Sequence, residues 1–133
     1  MITAIDTSVL IAIAKGEPLG EQFLDLLIAA DTEGQLHICD VVAAEYAALI
    51  QDEALVRRTL AGLGIAYSPI ALPTALAAGR LFRQYRDSGG PRERILPDFL
   101  IGAHAQFQAN QLATLDRGYY RRYFPKLKLL QPA

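Results

Sequence analysis

A chain of 133 residues, 52% apolar and 20% charged, carries enough apolar surface for one core; this excludes intrinsic disorder and leaves no room for two ordinary domains. Its one cysteine, Cys39, excludes an intramolecular disulfide and a thiolate metal site, and no window approaches the ~18 uninterrupted apolar residues of a membrane span. With no basic segment before the first apolar stretch, which Asp6 interrupts, a secretory signal is not expected; the expectation is one soluble, reduced, cytoplasmic domain over residues 1–133, without membrane association. The net charge of −1 hides an asymmetry, because residues 1–79 hold ten acids and three bases while residues 80–133 hold four acids and ten bases. A basic surface for phosphates beside an acidic pocket for cations produces such a split, and so does the docking of two oppositely charged faces.

Residues 2–5, ITAI, read as a short buried strand, and VLIAIA carries a helix from Thr7 to about Ala14, stopped by Gly16 and Pro18. Residues 20–30, GEQFLDLLIAA, place Phe23, Leu27 and Ala30 on one helical face. A second strand follows over 35–39, and Asp40 is the natural N-cap of a helix reaching about Ile50. Next come a helix over 52–61, a turn framed by Gly62 and Gly64, a strand over 65–67 and a helix from Pro73 to about Arg86. Residues 87–94, DSGGPRER, form the clearest loop. Beyond it lie a helix from Pro97 to about Gln108, a strand over 111–114, a helical turn at 118–122 and a last strand over 127–130. Strands alternating with helices predict an α/β sandwich on a short, mainly parallel sheet.

Four carboxylates carry the chemical interest. Asp6 ends the first strand and, alone, is an ordinary helix cap. Glu45 has Val41, Val42, Ala48 and Leu49 as its helical neighbours; an ionised carboxylate on a core-facing stripe is costly unless a cation or strong donors meet it, and otherwise it reaches solvent from the stripe's edge. Asp98 stands in the first turn of its helix, where the dipole stabilises an anion, and Ile101 and Gly102 on its face direct it inward. Asp116 follows the fourth strand, a common place for a turn residue.

A parallel sheet lets these four converge, since Asp6 and Asp116 lie just beyond strands and Glu45 and Asp98 on helices near the same strand ends. Two unit charges ~4 Å apart repel by about 1 kcal/mol in water and about 4 at an effective dielectric of 20, so clustered acids either protonate or hold metal. Oxygen-only donors suit Mg²⁺ or Mn²⁺; His37 and His104 lack zinc spacing and read as a strand and a helix residue. The hydroxyls of Thr7, Ser8 and Thr114 stand beside two of the acids, placed either to orient a carboxylate or a bound water, or for plain capping and strand preference. There is no dinucleotide fingerprint, phosphate-binding glycine loop or GxSxG serine.

The segments AIDTSVLIAIAKGE, VVAAEYAAL, LPDFLIGAHA and LATLDRGYYRRYFPKLKLL, in that order, resemble the PIN-domain nucleases and look most like the VapC-type toxins of prokaryotic toxin–antitoxin pairs. The resemblance implies a three-layer α/β/α fold and a metal-dependent endoribonuclease site. In it Asp6, Glu45, Asp98 and Asp116 match the acidic cluster, and Ser8 and Thr114 the supporting hydroxyls. It further implies Mg²⁺ or Mn²⁺ held by Asp6, Asp98 and Asp116, with Glu45 binding through water or positioning the nucleophile, an RNA substrate, a homodimer and a cognate antitoxin. Arg80, Arg83, Arg86, Arg92, Arg94, Arg117, Arg121, Arg122, Lys126 and Lys128 are the candidate phosphate contacts. One departure stands out: Gly118 and Tyr119 occupy the place where many relatives carry a further acid or asparagine. Two rival readings are a non-catalytic interaction or RNA-binding protein of the same fold, and a metal-dependent DNA or flap nuclease.

Overall fold

The computed structural model describes residues 1–90, 94–116 and 118–133. In chain order the elements are β1 (Ile2–Ile5), α1 (Thr7–Ala14), α2 (Pro18–Glu33), β2 (Gln35–Ile38), α3 (Asp40–Ile50), α4 (Glu53–Gly62), β3 (Ile65–Tyr67), α5 (Leu72–Asp87), α6 (Leu96–Gln108), β4 (Gln111–Ala113), α7 (Gly118–Tyr123) and β5 (Leu129–Leu130). The strands form one sheet in the order β3-β2-β1-β4-β5, and every neighbouring pair is parallel. Parallel neighbours need crossover connections, which is why the gaps between strands are helical.

The chain builds outward from β1 to β2 and β3, then returns to lay β4 and β5 on the other side. Right-handed crossovers running in opposite directions put the two groups of helices on opposite faces of the sheet, giving the expected three-layer α/β/α arrangement. Strand order reverses between β1 and β4, where Ile5 is in register with Ala113 and the Asp6 N–H donates to the Ala113 carbonyl at 2.9 Å. The carboxyl ends of two diverging strands leave a crevice there, the usual binding position in an open α/β sheet.

The core follows from the apolar runs. Ile5, Leu36, Ile38 and Leu112 come from the sheet, Phe23 and Leu27 from α2, and Phe99 from α6, all fully buried. Helix α5 lies along α6, while α1 packs on α2 and α3. His104 faces inward on α6, its Nε2 3.1 Å from the Ser68 hydroxyl, and burial, reinforced by nearby His37, lowers its pKa. No helix among the described residues is long and apolar enough to cross a membrane.

Several boundaries differ from the sequence expectation for local reasons. Helix α2 runs over Pro18–Glu33 instead of 20–30: Pro18 opens it, because a proline at the first helical position forfeits an N–H that has no partner there anyway. Cys39, not Asp40, occupies the N-cap of α3, leaving Asp40 inside the first turn with Oδ1 buried and unpartnered among the described residues. Residues 127–128 stay outside β5, since the Leu127 N–H turns back to the Phe124 carbonyl. Helix α5 takes in Asp87, and residues 91–93 of the expected loop lie outside the described residues.

Seven aromatic side chains knit α5, α6 and the C-terminal segment together: Phe82, Tyr85, Phe99, Tyr119, Tyr120, Tyr123 and Phe124, with paired centroids 4.8 to 6.2 Å apart. Gly102 lets Phe124 lie directly on α6, because a Cβ there would strike the ring. Gly102→Ala is therefore expected to cost about 1–3 kcal/mol of stability through overpacking, read as a lower midpoint in urea unfolding with an unchanged slope.

Candidate active site

Asp6 is delivered to the crevice by the buried run Thr3 to Ile5 that precedes it. Although it stands at the N-cap of α1, its carboxylate makes no side-chain cap; instead Oδ2 accepts from the Thr114 hydroxyl at 2.7 Å and from Ser8 Oγ at 3.0 Å. The side chain is 8% exposed. Burial raises its pKa, the two hydroxyls and the Thr7 N–H pull it back, and Glu45 adds repulsion.

Thr114 is fully buried and bonds in two directions: its hydroxyl donates to Asp6 and accepts the Asp116 N–H at 3.0 Å. One hydroxyl thus fixes the end of β1 against the chain leaving β4. Ser8 reinforces the same junction by accepting the Leu115 N–H at 3.3 Å.

Asp116 is held at both oxygens. Oδ1 accepts the Tyr119 N–H at 3.1 Å, and Oδ2 takes Arg94 Nη2 at 2.6 Å, with the two side chains 25% and 34% exposed. The Arg94 guanidinium also lies over the Tyr119 ring, 4.4 Å from its centroid. Burial opposes the Arg94 charge, but Asp116, with Asp98 behind it, more than offsets this and raises its pKa. Asp98 accepts the Ile95 N–H at 2.9 Å, closing the first turn of α6. Burial raises the pKa of both Tyr119 and Tyr120, and the Tyr120 phenol additionally lies within the field of Asp6, Asp98 and Asp116 together.

Glu45 corrects the sequence reading. It is exposed: of its apolar neighbours Val42 is buried and Val41 half-buried while Ala48 and Leu49 face outward, so Glu45 stands at the edge of the stripe and reaches solvent instead of facing the core. Its Oε1 accepts the Thr7 hydroxyl at 2.6 Å. Thr7 therefore ties Glu45 to the start of α1, one residue from Asp6, and does not use its hydroxyl on Asp6 itself.

The acids share one end of the sheet, each on its own donors. Among the described residues no three of the His, Cys, Asp and Glu side chains form a group able to hold a metal ion. The donor chemistry nevertheless fits a hard divalent cation: the acids offer oxygen alone, and a guanidinium already stands as a cation against Asp116. Asp6, Asp98 and Asp116 are the carboxylates that could hold such a cation.

The expected phosphate contacts divide. Arg94 is paired with an acid instead of facing outward, Arg83 pairs with Asp87 at 3.1 Å, and Arg86 lies 5.9 Å over Phe82. Arg80, Arg121, Arg122, Lys126 and Lys128 are exposed; Arg92 and Arg117 lie outside the described residues. A pocket of about 420 Å³ opens between α5, α6 and α7, with Gln84, Ser88 and Arg122 at its polar side and Phe99 and Tyr123 in its wall. Sequence reasoning missed Tyr119 and the acid-facing role of Arg94. Only the aromatic run YYRRYF, which begins three residues after Asp116, hinted at the first.

Residues 3–125 match the family model of the PIN domain, and the chain belongs to that family. Among solved structures it is similar over its full length to VapBC2 of Rickettsia felis bound to a fragment of its promoter DNA, at 21% identity and a TM-score of 0.72, covering 100% of both chains. A toxin–antitoxin complex of Klebsiella pneumoniae aligns at 21% identity and 0.70, covering 98% of each chain. The sarcin–ricin-loop-cleaving toxin VapC20 of Mycobacterium tuberculosis aligns at 14% and 0.70, covering 98% of this chain and 99% of that one. No curated protein matches the sequence significantly.

The environment of Asp6 has a consequence for stability. Its raised folded pKa means that the folded state binds a proton more readily than the unfolded one, so this residue's contribution falls as pH rises through the folded value. In metal-free buffer at neutral pH, Asp6→Asn is expected to melt above the parent protein, since an amide oxygen keeps both hydroxyl bonds without the buried charge. The advantage should vanish below the ordinary carboxylate range, which calorimetric melts across pH will read directly.

Proposed function

We propose that this PIN-domain protein is a metal-dependent endoribonuclease acting as the toxin of a toxin–antitoxin pair. The observation that carries the reading is the Asp6–Thr114–Asp116 junction at the β1/β4 crevice, with Asp98 and Glu45 approaching from α6 and α3. End-to-end likeness to VapBC2 and to a toxin–antitoxin complex supports the biological setting, and one similar protein is a toxin that cleaves the sarcin–ricin loop.

In the proposed reaction Asp6, Asp98 and Asp116 would hold Mg²⁺ or Mn²⁺. When bound, such an ion lowers the pKa of a water for attack on a phosphodiester and neutralises developing oxyanion charge. Thr114 and Ser8 fix the direction of the Asp6 carboxylate, leaving it no rotation to lose as it binds. Glu45, exposed and anchored by Thr7, orients the attacking water. Arg86, Arg121 and Arg122 are placed on α5 and α7 to contact RNA phosphates and draw the strand across the crevice. The exposed apolar residues Leu49, Leu55, Leu72, Leu76 and Phe107 supply surface for a second copy and for an antitoxin in the cytoplasm.

A second reading, a PIN-fold RNA-binding or interaction protein without catalysis, draws on the Arg94–Asp116 pair and the lack of a ready-made group of three acids among the described residues. Incubation of the purified protein with structured RNA, with Mg²⁺ or Mn²⁺ and then with EDTA, separates the two. The nuclease reading expects cleavage that EDTA abolishes, and a loss of about 100-fold or more in Asp6→Asn and Asp98→Asn, both still folded. Binding without cleavage would favour the second, and undiminished cleavage by these variants would overturn the assignment of the reaction to these acids. Preference for a flap or single-stranded DNA competitor at fixed salt would move the substrate class away from RNA.

A further inference from the structure

The Asp116 corner of the crevice already holds a cation that belongs to the chain. Arg94 Nη2 contacts Asp116 Oδ2 at 2.6 Å, its guanidinium rests on the Tyr119 ring, and Asp98 adds attraction from α6. The other Asp116 oxygen is committed to the Tyr119 N–H. An ion shared between Asp116 and the remaining acids therefore competes with Arg94 for the charge of one carboxylate, and Oδ2 is the oxygen on which the guanidinium sits. The planar, permanently charged fork both pairs with a carboxylate and stacks on a ring, which a lysine at this position could not do equally well. Tyr119 is thus common to both halves of the arrangement, supplying an N–H to the acid and a face to the base.

We propose that Arg94 is a built-in competitor for the divalent ion, seated on Asp116 in the metal-free protein and displaced when the ion binds. The inference rests on the metal-dependent reading above. It makes metal affinity a property of the arginine as much as of the acids: the exchange swaps one ion pair for another, with no bond made or broken and no proton moved.

Calorimetric titration of the full chain with Mn²⁺, at constant ionic strength, tests it with Arg94→Gln, Arg94→Lys and, as a control for loss of one positive charge, Lys15→Gln at the far end of α1. The expected result is binding about tenfold tighter in Arg94→Gln, the worth of one charge-assisted hydrogen bond, an intermediate value for Arg94→Lys and little change for Lys15→Gln. In parallel, a Mg²⁺ titration of ¹⁵N-labelled protein should move or broaden the Arg94 Nε–H resonance, identified by its absence in Arg94→Gln, together with the Asp116 and Tyr119 amides. If the parent binds Mn²⁺ but Arg94→Gln binds no more tightly than Lys15→Gln, or the Arg94 signal stays still while the amides shift, the competitor is wrong and the metal site stands. If neither parent nor Arg94→Gln binds Mn²⁺, the metal-dependent reading fails and the competitor with it. Thermal melts of each variant confirm that the comparison is between folded proteins.

Discussion

The Thr114 hydroxyl is the interaction on which the crevice depends. It sits where the strand order of the sheet reverses, donating to Asp6 beyond β1 and accepting from the Asp116 backbone beyond β4. A buried hydroxyl with both capacities used is fixed in direction, and a missing partner at such a depth costs about 1–3 kcal/mol. Because Asp6 is buried too, the hydroxyls of Thr114 and Ser8 replace water as the solvation of a carboxylate that burial alone would neutralise. The fold tolerates the buried acid because of these two bonds.

Beneath the acids, the aromatic cluster turns packing into positioning. Phe99 follows Asp98 directly, and Tyr119 lies three residues beyond Asp116, so the Phe99–Tyr119 contact at 5.5 Å couples the start of α6 to the segment after β4. Each such ring pair adds roughly 0.5–1.5 kcal/mol beyond burial. Carboxylates carried on loops and helix starts would wander if only their own backbones held them. Here Asp98 and Asp116 stand one and three residues from a ring locked in the core.

On the proposed metal-dependent reading, charge competition decides which state the crevice adopts. At ~4 Å and an effective dielectric of 20, a carboxylate attracts a unit cation by about 4 kcal/mol and a divalent one by about twice that. Both figures shrink for groups a quarter to a third exposed, as Asp116 and Arg94 are. The arginine compensates for its single charge with the Tyr119 face and with the absence of a hydration shell as tightly held as that of Mg²⁺. A divalent ion gains over it only by engaging several acids at once, so the separation of the acids and the seating of Arg94 are two sides of one balance.

The sequence by itself determined the alternation of strands and helices, the parallel sheet and the positions of Asp6, Asp98 and Asp116 beside strand ends, because apolar periodicity and capping chemistry are local and written into neighbouring residues. It also carried the family resemblance, since four short segments in order suffice for that. What it could not determine was the direction each side chain takes. Glu45 has apolar neighbours whether α3 buries that face or shows it, and only the packing of Val42 and Tyr46 against the core decided for exposure. Arg94 reads as one base among ten in its half of the chain, and its seat on Asp116, 22 residues away, exists only once α6 and β4 have brought the two together. Local order follows from adjacent residues; the electrostatics of the crevice follow from contacts between residues that the chain keeps far apart.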